Sequence, residues 1–397
     1  MLKTLVLLPG SIDNIFLKNE MEYLKRNFNI IYIFVYENPK KDWYVKEKKI
    51  KTLYVKNFTV KSIIKSFFNF LLIKELRQEV IKQKNLKKIL YAFFYENFYC
   101  NVCQIIKKVQ LEGEVYLYSF WLSRGAYAVA RYKRENANKV KKAVSRAHGY
   151  DLYEERNKLK YLPFRNFIRE NLDEIYFISK HGKNYFLNRY GKADCQYEIS
   201  RLGTNNEKRI EKIIRNKKEI CIASCSSIIS VKRLDLLIRI LKELKVPYRW
   251  IHIGNGKLRE EIETYAGKVL PKNSYLFLGK IENDKVLEIY KEYDVDFFIN
   301  TSDSEGIPVS IMEAMSAGIP VICRNVGGNG EIVNGENGLL LEEKEEDIVI
   351  NRMEEFLKIR LEKREEYRKK SIACIQSWNE RYNAEKNYEE FCKKMRE

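Results

Sequence analysis

The feature that most constrains this chain is an alternation of short apolar runs with helical patterns that starts, stops and starts again. Residues 4–8 and 30–36 are apolar runs of strand length, and residues 12–26 between them carry helical periodicity. Strand, turn, helix and strand in that order build a parallel sheet with crossover helices. Further strands are predicted at 115–120, 143–148, 174–178 and 197–200, with helices at 123–134 and 181–189. A polar run at 205–218 interrupts the pattern and is the expected linker. The alternation resumes with strands at 220–225, 250–253, 275–278 and 295–299 and helices at 233–244, 257–266 and 285–293. Two doubly wound α/β domains with a cleft between their strand ends are therefore expected. A chain of 397 residues agrees, because a single core stops growing well short of that length.

Chemistry gathers after the 295–299 run. In the stretch from Asn300 to Gly338, Ile307, Ile311, Ala314 and Met315 recur at helical steps, so it is predicted as strand, loop, helix, strand. Glu305 falls at the loop tip and Glu313 about two turns later, which lets both carboxylates face one cleft at the helix N-terminus. A ligand with an anionic centre and flanking hydroxyls suits that geometry. Between Cys225 and the next helix lies Ser226-Ser227-Ile228-Ile229-Ser230-Val231-Lys232-Arg233, a loop with two adjacent cations beside a helix start. Charge and helix dipole together favour phosphate there. A solvated Lys-Arg pair is the alternative, and the shared sheet edge with Glu305 and Glu313 weighs against it. Gly254-Asn255-Gly256 is a tight turn of the same edge. Asp294 and Asp296 have the spacing of a metal-binding pair, but they flank the entry to a buried strand and are expected to be structural.

In the first half, Gly10 follows the first strand and lets backbone approach a ligand, although Pro9-Gly10 is also an ordinary turn. His148 closes the 143–148 strand, with Gly149 next and Asp151 nearby, and points toward the crevice that such sheets use. His181, at a helix start after Ser179-Lys180, is expected to act in capping.

Charge is unevenly shared. Residues 1–200 hold 38 Lys and Arg against 20 Asp and Glu, net +18, and the remainder holds 35 against 34. A polyanionic partner for the first domain, an anionic membrane surface above all, is one reading; solvated lysines are the other. Residues 58–76 interleave Lys61, Lys65 and Lys74 with Ile63, Ile64, Phe67, Phe68, Phe70, Leu71 and Leu72. That pattern suits a helix lying on an anionic surface, and equally a core helix with a basic outer face. No aromatic-basic nucleic-acid motif is present. Eight scattered cysteines form no disulfide framework and indicate a reducing, cytoplasmic compartment, with Cys100 and Cys103 expected to be structural. The N-terminal apolar run is too short for a signal peptide, and no apolar segment has bilayer-spanning length.

Taken together, these residues resemble the retaining, nucleotide-sugar-dependent glycosyltransferases of family 4, which have the GT-B fold of two Rossmann-like domains. The resemblance rests on Glu305 and Glu313, Gly318-Ile-Pro-Val, Gly327-Gly328 with Glu331, Lys232-Arg233, and Ile253-Gly254-x-Gly256, and it extends over nearly the whole chain. Arg146-Ala-His148-Gly-Tyr-Asp151, Leu162-Pro163-Phe164, Ile178-Ser179 and Arg201-Leu202-Gly203-Thr204 resemble the bacterial colanic-acid, O-antigen and capsule subgroup. Trp378, Tyr388 and Phe391 are similar to a tail that crosses back onto the first domain. The resemblance implies an acceptor-side domain at 1–204, a donor domain at 205–375 and a returning helix at 376–397.

It also implies roles. Glu313 would bind donor ribose hydroxyls and Glu305 sugar hydroxyls. The stretch Gly306, Ile307, Pro308 and Val309 would meet sugar and phosphate, all but Pro308 through their amides, with Lys232 and Arg233 neutralising the diphosphate. Gly254, Lys280 and Ile281 would lie along the nucleotide. His148 would lie on the opposite lip beside the reacting sugar and form the catalytic set with Glu305 and Lys232. Gly10 would let the first domain's loop close on donor and acceptor, and Asp151 would lie on the acceptor side. The implied donor is a UDP-sugar rather than a GDP-sugar, the acceptor an oligosaccharide or polyprenyl-linked glycan, with no cofactor and no metal. One departure stands out: many members carry arginine where this chain has Ser227. A nucleotide-sugar-binding subunit without strong catalysis and a sugar-nucleotide epimerase of the same architecture are the alternatives.

Overall fold

The computed structural model describes residues 1–10, 15–35, 48–56, 59–206, 216–343 and 345–397. The start of the predicted first helix and most of the predicted linker lie outside them. The chain divides into two compact units, Met1–Arg201 with Glu385–Glu397, and Leu202–Ala384.

The first unit comprises β1 (Lys3–Leu8), α1 (Ile15–Asn27), β2 (Ile30–Val35), β3 (Ile50–Tyr54), α2 (Val60–Leu72), α3 (Lys74–Ile81), α4 (Leu86–Val109), β4 (Glu114–Ser119), α5 (Arg124–Glu135), β5 (Val140–Ala147), α6 (Arg165–Asn171), β6 (Glu174–Phe177), α7 (Lys180–Tyr190) and β7 (Gln196–Ile199). Its strands form one parallel sheet in the order β3-β2-β1-β4-β5-β6-β7. β1, β2 and β4 are buried along nearly their whole length, as strands covered on both faces must be. The strand β3 escaped sequence reading because it is an edge strand with Lys51 and Thr52 at its centre.

The helix predicted over 58–76 is two helices. Ile73 leaves helical geometry, at φ −102° and ψ 113°, and packs its side chain against the core. The 24-residue α4 buries Cys100 and Cys103. Burial pushes the Cys100 thiol up to about 12, which suits a packing residue and not a reactive one. At the start of α7 the cap is Ser179, whose side chain accepts from the Gly182 amide, while His181 Nδ1 lies 2.7 Å from the Tyr153 hydroxyl. The side-chain cap of α7 is thus Ser179, and His181 pairs with Tyr153.

The second unit comprises β8 (Ile220–Cys225), α8 (Leu234–Glu243), β9 (Tyr248–Ile253), α9 (Arg259–Val269), β10 (Tyr275–Gly279), α10 (Val286–Glu292), β11 (Phe297–Asn300), α11 (Val309–Ser316), β12 (Val321–Arg324), α12 (Asn329–Ile332), β13 (Gly338–Leu341), α13 (Glu346–Glu362) and α14 (Arg364–Arg381). Its parallel sheet runs β10-β9-β8-β11-β12-β13. Asp296 is fully buried at the foot of β11, where Arg360 Nε (2.7 Å), Lys217 Nζ (3.0 Å) and the Cys221 amide (2.9 Å) hold its carboxylate. Its spacing from Asp294 thus serves a buried ionic anchor. Trp378, on α14, donates to the Thr204 hydroxyl at 2.8 Å within this unit. The last helix, α15 (Ala384–Arg396), contributes Phe391 to the first unit, between the rings of Tyr118 and Tyr176 and 4.0 Å beneath the Arg146 guanidinium.

Candidate functional site

In doubly wound sheets a crevice opens where strand order reverses. In the second unit that point lies between β8 and β11. The loops leaving the carboxyl ends of β8, β9, β10, β11 and β12 are stitched together around it.

The β8 loop and the β11 loop are joined by four sets of contacts. Thr301 Oγ1 donates to the carbonyls of Lys232 (3.2 Å) and Arg233 (3.0 Å). The Asp303 amide donates to the Val231 carbonyl at 2.8 Å. Lys232 Nζ donates to Glu305 Oε1 at 2.6 Å, and that oxygen also accepts from Asn300 Nδ2 at 3.1 Å. Arg233, left-handed at φ 50°, caps α8 and directs its guanidinium to Asp235 and Asp303. Arg324 at the end of β12 also donates to Asp303. Of the two adjacent cations, Lys232 therefore stands beside the predicted sugar-side carboxylate, while Arg233 is tied by acids to the loop framework. Ser227 is solvent-exposed on the same loop.

Two glycine pairs make this closeness feasible. A Cβ on Gly254, at φ 143°, would stand 1.8 Å from the Ser226 carbonyl oxygen, and one on Gly256 would stand 2.2 Å from that of Ile228. In the β12 loop, a Cβ on Gly327 would fall 1.9 Å from the Glu305 oxygen and one on Gly328 2.1 Å from that of Gly306. The Gly328 amide instead donates to Gly306 at 2.8 Å, fixing the loop that carries Glu305.

After this loop, Pro308 caps α11, and Val309 is its first residue. The first amides of a helix have no intrahelical acceptor, so the backbone from Gly306 to Val309 heads a positive helix end. Glu313, one turn on, is buried and accepts from Asn283 Nδ2 at 3.1 Å. Burial raises its carboxyl to about 7 and the Asn283 amide opposes the rise. Lys280 and Ile281 lie between β10 and Asn283, Lys280 exposed and Ile281 half-buried. The Gly254 amide donates to the Gly279 carbonyl at 2.8 Å, which brings the β9 and β10 loops together. Sequence reasoning missed Asn283, Asn300, Thr301, Asp303 and Arg324; only the position of Asn300 and Thr301 at a strand end gave a signal.

The first unit carries its own polar edge. A Cβ on Gly10, at φ 81°, would stand 2.7 Å from Trp121 Cδ1. Trp121 lies 4.4 Å, centroid to centroid, from the His148 ring, which Phe120 also stacks upon. Gly10, Trp121 and His148 thus follow the neighbouring strands β1, β4 and β5. Both ring nitrogens of His148 are buried without a hydrogen-bond partner among the described residues, Nδ1 lying 3.5 Å from Asp151. Asp151, read as an acceptor-side contact, is buried and turned inward: its carboxylate accepts from the amides of Leu122 (2.7 Å), His148 (2.9 Å) and Gly149 (3.0 Å). Burial disfavours its charge, yet His148 and these amides outweigh burial and hold its carboxyl below the usual range. Asp151 is a positioning residue for the His148 turn.

Among the described residues, no three His, Cys, Asp or Glu side chains converge as a metal site.

A pair of doubly wound α/β domains, the second with a cation, two buried carboxylates and a helix N-terminus at its switch point, has the architecture of the GT-B class. Residues 205–373, most of the second unit, match the family described as "Glycosyl transferases group 1". An O-antigen biosynthesis glycosyltransferase of Escherichia coli is 37% identical over 117 residues, a stretch covering 30% of this chain and 32% of that protein. Two solved structures share the fold: a lipopolysaccharide outer core galactosyltransferase in apo form (TM-score 0.71, 15% identity, 100% and 99% coverage), and an Anabaena protein in complex with UDP and glucose (TM-score 0.69, 14% identity, 100% coverage of both chains).

Proposed function

We propose that this chain is a retaining glycosyltransferase that moves a sugar from a nucleotide-sugar donor to a glycan or lipid-linked acceptor in bacterial surface polysaccharide synthesis. The observation that carries the reading is the Lys232–Glu305 pair at the switch point of a group 1 domain, held at 2.6 Å between two stitched loops.

In this reading Glu313 accepts hydrogen bonds from the donor ribose and Glu305 from the donor sugar. Lys232 and the amides of Gly306, Ile307 and Val309 meet the diphosphate, and they act most strongly as negative charge grows on the departing oxygen. Gly254, Lys280 and Ile281 line the nucleotide. Arg233 contributes through the loop it fixes and its long-range charge. Lys232 must share its ammonium between Glu305 and phosphate, which couples sugar binding to leaving-group stabilisation. The acceptor hydroxyl attacks the anomeric carbon on the face from which the nucleoside diphosphate leaves. The C–O bond to phosphate breaks, the new C–O bond forms, and the hydroxyl proton passes to the departing phosphate oxygen. In the first domain this reading assigns His148, whose turn Asp151 holds, to catalysis and Gly10 to the approach of ligand. UDP-sugars are the first donors to test, since one protein of this fold is solved with UDP and glucose.

The test is a panel of UDP-, GDP- and dTDP-sugars with a polyprenyl-linked acceptor. One donor is expected to release its nucleoside diphosphate, equally with and without a chelator, and to give a product of unchanged anomeric configuration by NMR. If calorimetry detects binding of no donor, the reading fails; an inverted product removes its retaining part.

A further inference from the structure

The helix α2 is built inside out. Its polar residues Ser62, Ser66 and Asn69 face the protein, while Ile63, Ile64, Phe67, Phe68, Leu71 and Leu72 are between 52 and 78% exposed. The inward face is bonded to α4: Asn97 Nδ2 donates to Ser62 Oγ (3.0 Å), and Asn69 Nδ2 donates to Glu96 Oε1 and lies 3.4 Å from Cys100 Sγ. Thr59 closes a capping box with Ser62, and its hydroxyl lies 3.2 Å from Asn101 Oδ1. The orientation is thus specified by polar contacts on the buried side, so the apolar side is presented by design of the sequence.

Exposed residues cover about half of the helix circumference, and Lys61 is the one charge among them. Water is a poor neighbour for such a surface, and contiguous apolar patches of this kind mark interaction sites. The occupant follows from charge. Residues 59–90 hold eight Lys and Arg and two Glu, in a half of the chain already at net +18. A protein groove would more often supply a balanced rim, whereas an apolar face bordered by lysines, here Lys61 and Lys65 along one edge, fits lipid tails beneath anionic headgroups. The 13 residues of α2 extend only about 20 Å, too short to span a bilayer, so the helix lies in the interface plane.

We infer that α2 docks this protein onto an anionic membrane surface, with Phe67, Phe68, Leu71 and Leu72 inserted among acyl chains and Lys61 and Lys74 at headgroup level. The inference is independent of the sugar-transfer reading. Full-length protein is incubated with vesicles of phosphatidylcholine alone, or with one third phosphatidylglycerol, and sedimented. Binding is expected to the anionic vesicles only and to weaken with added salt. Phe67→Glu/Phe68→Glu is expected to weaken it at least about tenfold with an unchanged unfolding temperature, because both side chains are exposed. Lys61→Glu/Lys74→Glu is expected to reduce binding to anionic vesicles as well. The inference is overturned if wild type ignores the anionic vesicles, if the Phe67/Phe68 variant binds as well as wild type, or if sedimentation shows a dimer that this variant splits, which would assign the face to a second copy.

Discussion

Glu313→Gln separates what this carboxylate does for binding from what it does to stability. Glutamine keeps the size of the side chain and an oxygen to accept from Asn283 Nδ2, but it never ionises. The wild-type carboxyl is held at about 7 by burial, against 4.5 when solvated. Across that window the folded protein binds one more proton than the unfolded chain, so ionising Glu313 makes stability fall as pH rises from 4.5 to 7. At about 1.4 kcal/mol per pH unit, the wild type carries a penalty of about 3 kcal/mol above pH 7. The variant is expected to match wild type near pH 5 and to exceed it by about 3 kcal/mol at pH 8, roughly 6–12 °C in Tm for a domain of this size. Buried His252 tilts the wild-type profile the other way. Desolvation lowers its pKa from 6.5 to about 4, so its contribution is lost as pH falls through that range. The two trends nearly cancel between pH 4.5 and 6.5, which is why the difference between variant and wild type is the quantity to measure, by urea unfolding at pH 5, 6, 7 and 8. A difference that does not change with pH refutes the raised carboxyl. If Glu313 also binds ribose, the stabler variant should bind donor at least about tenfold more weakly, equivalent to about 1.4 kcal/mol.

Glu305→Gln should lower turnover by about 100-fold or more while leaving the fold intact by circular dichroism; activity near wild type removes Glu305 from the site. Gly328→Ala drives a methyl toward the Gly306 oxygen and should cost about 2–4 kcal/mol, weakening donor binding through the displaced loop, as read by thermal unfolding with and without nucleotide. Arg360→Met leaves the buried Asp296 carboxylate without its 2.7 Å partner and should cost about 3–5 kcal/mol in denaturant unfolding. Ser62→Ala removes both the capping box of α2 and the acceptor for Asn97, an expected loss of about 1–3 kcal/mol; an unchanged protein would mean that the polar face does not fix the helix.

Much of the fold was written in strand-length apolar runs, because parallel strands covered on both sides must be apolar throughout. Where that pressure relaxes, the signal fades: β3 is an edge strand with one buried residue, and β13 is a four-residue edge strand on the other sheet. The same contrast holds in the site. Glu305, Glu313 and Lys232 stand out as charges at strand ends and helix starts, positions that sequence order locates. Asn283, Asp303 and Arg324 do not, because each acts only through a partner the fold brings up, Asn283 meeting Glu313 across 30 residues and Arg324 meeting Asp303 across 21. Asp151 was legible as a residue near the site but not in its direction, since the amides that capture it come partly from Leu122, 29 residues away.

Periodicity fails in a particular way at α2. A helical repeat of apolar residues says that two faces differ, and the usual assumption that the apolar one is buried supplies the orientation. Here that assumption gives the wrong side. The information that corrects it lies on α4, where Glu96, Asn97, Cys100 and Asn101 offer polar partners at one- and four-residue spacings that repeat along one side of the helix. Ser62, Ser66 and Asn69 recur at four and three residues and match them. Glu96 is itself buried and bound by Arg131 and by the Tyr127 hydroxyl, so an apolar face laid against α4 would strip a buried carboxylate of the Asn69 amide that shares it. The polar interface beneath α2 therefore costs too much to invert, and the apolar residues have no alternative to facing outward.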